Sequence, residues 1–412
     1  MPTDFSLNIP ANDTGETPSN EIDAALNAVR EHLGMAVAYL SEFVDGRSVF
    51  RNVSAPGLED LIDVGDSQSL DDVYCRHILE GRLPELIPDT AKEPICAALP
   101  ITDQIPIGSH MSIPVRLPDG EAYGMFCCLS PEPNPSLNPR DLETMRMFAD
   151  LAARQVRAEH MARRAYAEKQ RRIQTVIDGP GLAIVYQPIV DLRKMEISGF
   201  EALSRFSAEP PRSPDGWFNE AAEVALSIEL ETAAIAKALA GLDAVPGGAY
   251  LSINVSPQTL LSDAFTSVLR QYDFSRIVLE ITEHNVIEDY DLVTKSLADL
   301  RSNGLRVAVD DAGAGHSSLR HIVQLDPDYV KLDMSLTRDV DTDLARRALV
   351  SALVFYTRET NAQIIAEGIE TEAELNTLKL LGVGRGQGYY LGRPSPDALR
   401  VESRKDAAFA FR

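Results

Sequence analysis

Two architectures follow one another in this 412-residue chain. An α+β domain with one antiparallel sheet comes first. An α/β barrel of the (β/α)₈ type follows, its first strand antiparallel, and a long helix connects the two. Three observations predict this. After residue 180, eight short strand-like runs alternate with helical patterns. The first two runs, Ile184–Val190 and Ser198–Phe206, are joined only by Asp191–Ile197, too short for a helical crossover, so they pair antiparallel. Before residue 158, two hairpin signatures lie between helical patterns.

Residues 1–20 are polar and rich in Pro, Thr, Asn and Asp, and read as a disordered tail without the charged start and apolar run of a secretion signal. A helical pattern begins near Glu21, with Ile22, Ala25, Leu26, Val29 and Leu33 on one face. Met35–Leu40 and Ser48–Val53 flank the turn Asp45-Gly46. Ser112–Leu117 and Ala122–Leu129 flank Pro118-Asp119-Gly120. Residues 21–158 resemble a GAF domain, through Tyr74-Cys75-Arg76-His77-Ile78-Leu79, Leu83-Pro84-Glu85-Leu86-Ile87-Pro88-Asp89 and Gly124-Met125-Phe126-Cys127-Cys128. The resemblance implies a sensor that binds a small ligand or chromophore, or simply dimerises. Cys75 reads as a small buried hydrophobe, and His77 as a hydrogen-bonded surface or pocket residue. Cys127 and Cys128 are neighbours on a strand, so they face opposite sides and make a poor metal pair.

From Pro139 a helical stripe runs through Leu142, Met145, Phe148, Leu151, Ala152, Val156 and Met161. Its inner half, 142–156, is expected to pack on the sheet. Residues 159–178 continue as a charged linker, rich in arginine. The pattern suits a signalling helix that pairs across a homodimer; a solvated linker helix capping the first domain is the alternative. Asp178-Gly179-Pro180-Gly181 breaks it and opens the second domain, 179–412.

The remaining barrel runs are Tyr250–Val255, Ile277–Thr282, Arg306–Asp311, Tyr329–Asp333, Ile364–Gly368 and Gly388–Leu391. Polar residues recur at their ends. Glu201 lies in the second run, Asn254 in the third, and Glu280 and Glu283 in or just after the fourth. Asp310 and Asp311 end the fifth, Lys331 and Asp333 the sixth, Glu367 the seventh, and Gln387 precedes the eighth. Barrel enzymes place their chemistry at the carboxyl ends of the strands. So many carboxylates at one mouth repel unless hard divalent cations join them, and all-oxygen ligation suits Mg²⁺, Mn²⁺ or Ca²⁺.

Glu201-Ala202-Leu203-Ser204-Arg205-Phe206, preceded by Tyr186-Gln187-Pro188-Ile189-Val190-Asp191-Leu192, carries the second resemblance. Ile253-Asn254-Val255-Ser256, Leu279-Glu280-Ile281-Thr282-Glu283, Asp310-Asp311-Ala312-Gly313-Ala314-Gly315, Val330-Lys331-Leu332-Asp333, Ala366-Glu367-Gly368-Ile369-Glu370-Thr371 and Gly386-Gln387-Gly388-Tyr389-Tyr390 follow in order. Residues 171–400 thereby resemble the EAL domain, the family that hydrolyses cyclic di-GMP to linear pGpG. The resemblance implies two ions per barrel, Mg²⁺ or Mn²⁺. One is held by Glu201, Asn254, Glu280 and Asp310; Asp310 bridges to the second, with Asp311 and Glu367. It also implies catalytic roles for Lys331 as a point charge, Gln387 in orienting water, Glu367, and Glu283, which ties down the loop after Asp311. Gln187, Leu203, Arg205 and Asp333 are the implied substrate contacts. Ala312 and His316 depart from the family, which commonly has phenylalanine and tyrosine there.

The net charge of −23 makes polymeric nucleic acid and anionic membranes poor partners. No apolar run approaches the ~20 residues of a membrane span. A cytoplasmic protein with free thiols is expected. No Gly-Gly-Asp-Glu-Phe block is present, which disfavours a second, cyclase activity. A non-catalytic cyclic di-GMP receptor is the alternative; loss of a metal ligand or of the lysine would mark it, and neither is lost. A histidine-ligated or Schiff-base barrel enzyme fits less well, because the lysine sits among carboxylates.

Overall fold

The computed structural model describes residues 19–281, 287, 289–312 and 318–400. The chain divides into two compact units, Met1–Ala165 and Tyr166–Arg412. The division falls inside one continuous 40-residue helix, Pro139–Asp178.

The first unit is built on six strands: β1 (Val37–Val44), β2 (Arg47–Ser54), β3 (Ser67–Ser69), β4 (Leu86–Ile87), β5 (Ser109–Arg116) and β6 (Ala122–Ser130). They form one antiparallel sheet in the order β3-β2-β1-β6-β5-β4. Asp45 and Gly46 both have positive φ, 49° and 74°, as a tight hairpin turn requires, so the Asp-Gly signal sets the register of β1 against β2. Strand alternation gives the sheet two cores. Ala38, Leu40, Phe126 and Cys128 pack with the helix Ser19–Leu33 and with Met145, Ala149, Ala152 and Val156 of the long helix. Val37, Tyr39, Met125 and Cys127 face the other way, with Cys75, Cys96 and Ile107. The two neighbouring cysteines therefore lie on opposite faces, and all four thiols are free and buried. On the second face a cavity of about 20 Å³ touches Tyr39, Tyr74, Cys75 and His110. That is room for a water or two.

The expected helical stripe divides. Met145, Ala152 and Val156 are buried, whereas Leu151 and Met161 are 50% and 63% exposed. Further along the same helix, Ile173 and Val176 pack with Trp217 and Leu230 in the second unit. Arg172 pairs there with the buried Glu220 at 2.6 Å.

The second unit is a closed eight-stranded barrel: β7 (Leu182–Asp191), β8 (Glu196–Phe206), β9 (Tyr250–Asn254), β10 (Ile277–Ile281), β11 (Arg306–Ala312), β12 (Tyr329–Leu332), β13 (Gln363–Ala366) and β14 (Arg385–Gly386). As expected, β7 is antiparallel to β8; it is antiparallel to β14 as well, and the other pairings are parallel. One expectation is corrected. The eighth strand is Arg385–Gly386, ahead of Gly388–Leu391, because Arg385 and Gly386 are the residues that pair with β13. Gly388 lies against the backbone of Ile369, where a Cβ would come within 2.2 Å of its nitrogen. Tyr389–Leu391 then turns, with Leu391 and Gly392 donating backbone N–H groups to the Gly388 carbonyl. The aromatic run has a strand's composition but no ladder to join.

The barrel floor explains the site above it. Ile189, Tyr250, Val278, Ala308, Tyr329 and Ile365, one from each of six strands, form a single inward cluster. Gly199 of β8 belongs to the same level, since any Cβ there would meet the Tyr250 ring at 2.6 Å. Arg385 of β14 lies over the Tyr329 ring at 5.0 Å. Side chains two positions along a strand share a face. Two residues towards the mouth, these strands carry Gln187, Glu201, Ser252, Glu280, Asp310, Lys331, Glu367 and Gln387. The polar layer is thus the next inward level of an ordinary barrel interior.

Candidate functional site

Lys331 is the hub of that layer. It is 1% exposed, and its Nζ stands 2.7 Å from Glu280 Oε2, 2.8 Å from Glu367 Oε1, 3.1 Å from Asp310 Oδ1 and 3.3 Å from Glu201 Oε1. A second set of bonds fixes the carboxylates. Gln387 Nε2 donates to Glu201 Oε2 at 2.5 Å and to Gln187 Oε1 at 2.9 Å. Asn254 Nδ2 donates to Glu201 Oε1 at 3.4 Å, and Ser252 Oγ to Glu280 Oε1 at 2.5 Å. Gln187 Nε2 is held by the Gly392 carbonyl at 3.1 Å. Gln387 Oε1 is buried with no hydrogen-bond partner among the described residues. A buried acceptor left open is costly, about 1–3 kcal/mol, and so marks a place where a donor is received.

Asp310 and Asp311 are adjacent on β11, and a regular strand would send them to opposite faces. The strand is irregular there: its register against β12 shifts between Val309 and Ala312, and Asp311 has φ 57°. Aspartate tolerates that left-handed backbone better than most residues. The bulge brings a carboxylate oxygen of Asp311 to within 4.8 Å of oxygens of Asp310 and Glu367. Glu201, Glu280 and Asp310 form a second such triad. Asp310 belongs to both.

The electrostatics follow from burial and crowding. Burial raises the Glu280 carboxyl well above its usual range, and the neighbouring Glu201 adds to this. Burial pushes Glu367 up to about 8. Burial also acts against ionisation of Glu201, yet Lys331 and the Gln387 amide bring it below its usual value. Desolvation alone would depress Lys331; the surrounding Asp310, Glu201, Glu280 and Glu367 carboxylates outweigh it and hold the ammonium charged. Four carboxylates against one ammonium leave three uncompensated negative charges when all are ionised. The donors are all oxygens, in two triads sharing one residue, which fits a pair of hard divalent cations.

The other expected residues are placed as follows. Leu203 is half-buried on β8, and the exposed Arg205 beyond it donates to the Ser204 carbonyl. Asp333 caps the helix Met334–Thr337, one oxygen of its carboxylate accepting from Ser335 N at 2.9 Å. Glu283 and His316 lie outside the described residues. Ala312 ends β11, buried against Leu332 of β12. Ser252 was not anticipated from sequence. Its signal was a hydroxyl inside the otherwise apolar Leu251-Ser252-Ile253 run.

Among the described residues, no helix is long and apolar enough to cross a membrane. The EAL domain profile matches residues 170–394, and the GAF domain profile residues 18–156. The probable cyclic di-GMP phosphodiesterase PdeN of Escherichia coli K12 is 31% identical over 240 residues, 55% of this chain and 46% of PdeN. The chain thus spans about half the length of this curated relative, and 30% to 38% of the next ones it matches. An EAL domain protein of Listeria monocytogenes EGD-e superposes with a TM-score of 0.50 at 26% identity, covering 55% of this chain and 94% of its own. The PaMucR phosphodiesterase, solved as its c-di-GMP complex, superposes with a TM-score of 0.51 at 26% identity, covering 57% and 100%. With the profile spanning more than half of its length and the barrel carrying the motifs in order, this chain belongs to the EAL domain family, with a GAF domain ahead of its barrel.

Proposed function

We propose that the chain is a cyclic di-GMP phosphodiesterase that hydrolyses its substrate to linear 5′-pGpG. The observation that carries this reading is the pair of carboxylate triads sharing Asp310 at the barrel mouth. The names of PdeN and of the PaMucR complex supply the substrate class. Glu201, Asn254, Glu280 and Asp310 would hold one Mg²⁺ or Mn²⁺ ion; Asp310, Asp311 and Glu367 would hold a second. When bound, such ions lower the pKa of a water and stabilise charge on the phosphoryl group in flight. The chain's own groups do the positioning. Lys331 holds a fixed positive charge beside Asp310 and Glu367. Gln387, with its amide nitrogen committed to Glu201 and Gln187, presents Oε1 as an acceptor for a water proton. Arg205, exposed at the end of β8, is available to a substrate phosphate, beside Leu203. The GAF domain is the regulatory input of this reading. Leu151 and Met161, exposed on the long helix, are the surface through which a homodimer would form, and light scattering tests that directly.

The function is tested by incubating the full chain with cyclic di-GMP and Mg²⁺ or Mn²⁺ and separating products by liquid chromatography. Metal-dependent accumulation of pGpG is expected. Retained nucleotide binding with no pGpG would replace the enzyme by a receptor.

Metal uptake is also expected to depend on pH. Glu367, pushed up to about 8, keeps its proton in the metal-free folded chain at neutral pH. A ligand must lose that proton, so uptake releases it. Apparent Mn²⁺ affinity should therefore rise with pH between about 6.5 and 8, by up to tenfold per pH unit for each proton released by Glu367 and Glu280. Calorimetric Mn²⁺ titrations across that range, in buffers of different ionisation enthalpy, measure both the affinity and the proton. A flat profile with no proton release would refute the expectation.

A further inference from the structure

We infer that Glu231 is a positioning residue for Asn254, holding the end of β9 so that the Asn254 side chain is set for the cation bound by Glu201, Glu280 and Asp310. This rests on the metal-dependent reading above.

Glu231 lies on the helix Ser227–Leu239, away from the polar layer. Its carboxylate is nevertheless the acceptor for three groups of the segment that follows Asn254. Ser256 donates its backbone N–H to Oε1 and its hydroxyl to Oε2, the latter at 2.6 Å. Thr259 Oγ1 also donates to Oε2 at 2.6 Å. Among the described residues, no lysine or arginine forms an ion pair with Glu231; these donors offset only part of the removal of its carboxylate from water, and burial still raises it above its usual range.

The placement explains why such an arrangement would be kept. Up to Asn254 the backbone is held by β9's pairing, with Asn254 opposite Glu280 on β10. One further bond, Val255 N to the Glu280 carbonyl at 3.0 Å, ends that hold. From Ser256 the chain leaves the barrel, and Glu231 takes over at that residue. Ser256 is at the same time the cap of the helix Pro257–Leu260, accepting from Thr259 N at 3.2 Å. One carboxylate thus fixes both the exit of the strand and the start of the next helix, two residues from Asn254. Groups that hydrogen-bond a metal ligand directly change metal affinity by roughly 10- to 100-fold when removed; Glu231 acts on Asn254 through the backbone of Ser256, two residues on.

The test is Glu231→Gln, which keeps the size of the side chain but replaces one acceptor oxygen by a donor. Substrate-free protein is titrated with MnCl₂ and followed by calorimetry and by the shift in melting temperature. Because the action is indirect, we expect an apparent Mn²⁺ affinity weaker by roughly 10-fold, the lower end of that range. At saturating Mn²⁺, kcat should recover to within a few fold of wild type, with KM for cyclic di-GMP little changed. A loss of kcat that Mn²⁺ does not restore would overturn the inference, as would a wild-type Mn²⁺ midpoint in a folded variant. Ser256→Ala removes one donor and leaves Glu231 in place. It should weaken Mn²⁺ in the same direction, and the double variant should add little to Glu231→Gln. If Glu231→Gln does not fold, Ser256→Ala and Thr259→Val decide the matter: unchanged Mn²⁺ affinity in both refutes the inference. Wild-type protein that binds no Mn²⁺ overturns the metal reading itself; wild-type binding with an unaffected Glu231→Gln overturns only the role of Glu231.

Discussion

Replacing Glu201 by alanine is expected to lower turnover of cyclic di-GMP by roughly 10³-fold or more, while the chain stays folded. The magnitude follows from what the site would lose. A Lewis-acid cation contributes several kcal/mol of transition-state stabilisation, and each ~1.4 kcal/mol is a factor of ten. Glu201 is also the residue on which three others converge: the Gln387 amide at 2.5 Å, the Lys331 ammonium at 3.3 Å and the Asn254 amide at 3.4 Å. Its removal therefore frees the Gln387 and Asn254 amides together, and on the metal-dependent reading the losses would not be additive. Folding tolerates the change better than chemistry does, because deleting a carboxylate from a cluster with excess negative charge relieves repulsion there. Glu201→Gln separates charge from shape. It retains the size and shape of the side chain, but it removes the negative charge and turns one acceptor oxygen into a donor facing donors, and should be nearly as inactive. Quantifying pGpG at saturating Mn²⁺, with circular dichroism as the folding control, checks this. Turnover by Glu201→Ala within a few fold of wild type would show that the ligand set is wrong.

Much of this was legible in the sequence because a barrel strand has a period of two and a parallel strand a direction. Apolar runs ending in a carboxylate, amide or lysine say where the mouth is, and the layer above Tyr250, Val278, Ala308, Tyr329 and Ile365 is where those residues stand. What escaped was whatever depends on more than one strand. Gly388–Leu391 has the composition of a strand, but pairing with β13 had already been taken by Arg385 and Gly386. Asp310 and Asp311 share a site only through the bulge at Asp311, which two adjacent letters do not reveal. Asp333 caps a four-residue helix too short to show a periodicity. Glu231 sits in a helix 23 positions before Asn254, and only the packing of that helix beside the strand end joins them. In the long helix, the 3- and 4-residue spacing merged two faces: Met145, Ala152 and Val156 turn to the sheet, and Leu151 and Met161 do not.

Lys331→Met should destabilise the metal-free barrel in a way that metal repairs. Among the described residues, the ammonium is the one cation within 3.3 Å of Glu201, Glu280, Asp310 and Glu367 together. Removing one partner from a buried ionic cluster costs about 3–5 kcal/mol, because the charges left behind are neither hydrated nor paired. Methionine fills the space, so the loss would be electrostatic rather than a cavity. The sign with pH follows from Glu280, held above its usual range, and Glu367, at about 8. A carboxyl whose folded pKa exceeds its unfolded one binds more protons when folded, so its unfavourable contribution grows as pH rises between the two values. Without the ammonium those folded values move higher still. The deficit should thus be small near pH 5, where the carboxyls take up protons, and largest at pH 8. Saturating Mn²⁺ should restore most of the stability at pH 8, since a cation that binds only the folded state stabilises it by mass action. Turnover should stay low even then, because the fixed charge beside Asp310 and Glu367 is gone. Trp217 is the chain's single tryptophan and is fully buried in the second unit, so its fluorescence reports urea unfolding of that unit alone. Equal stability of Lys331→Met and wild type at pH 8 without metal would mean that the lysine is not the counter-charge of this cluster.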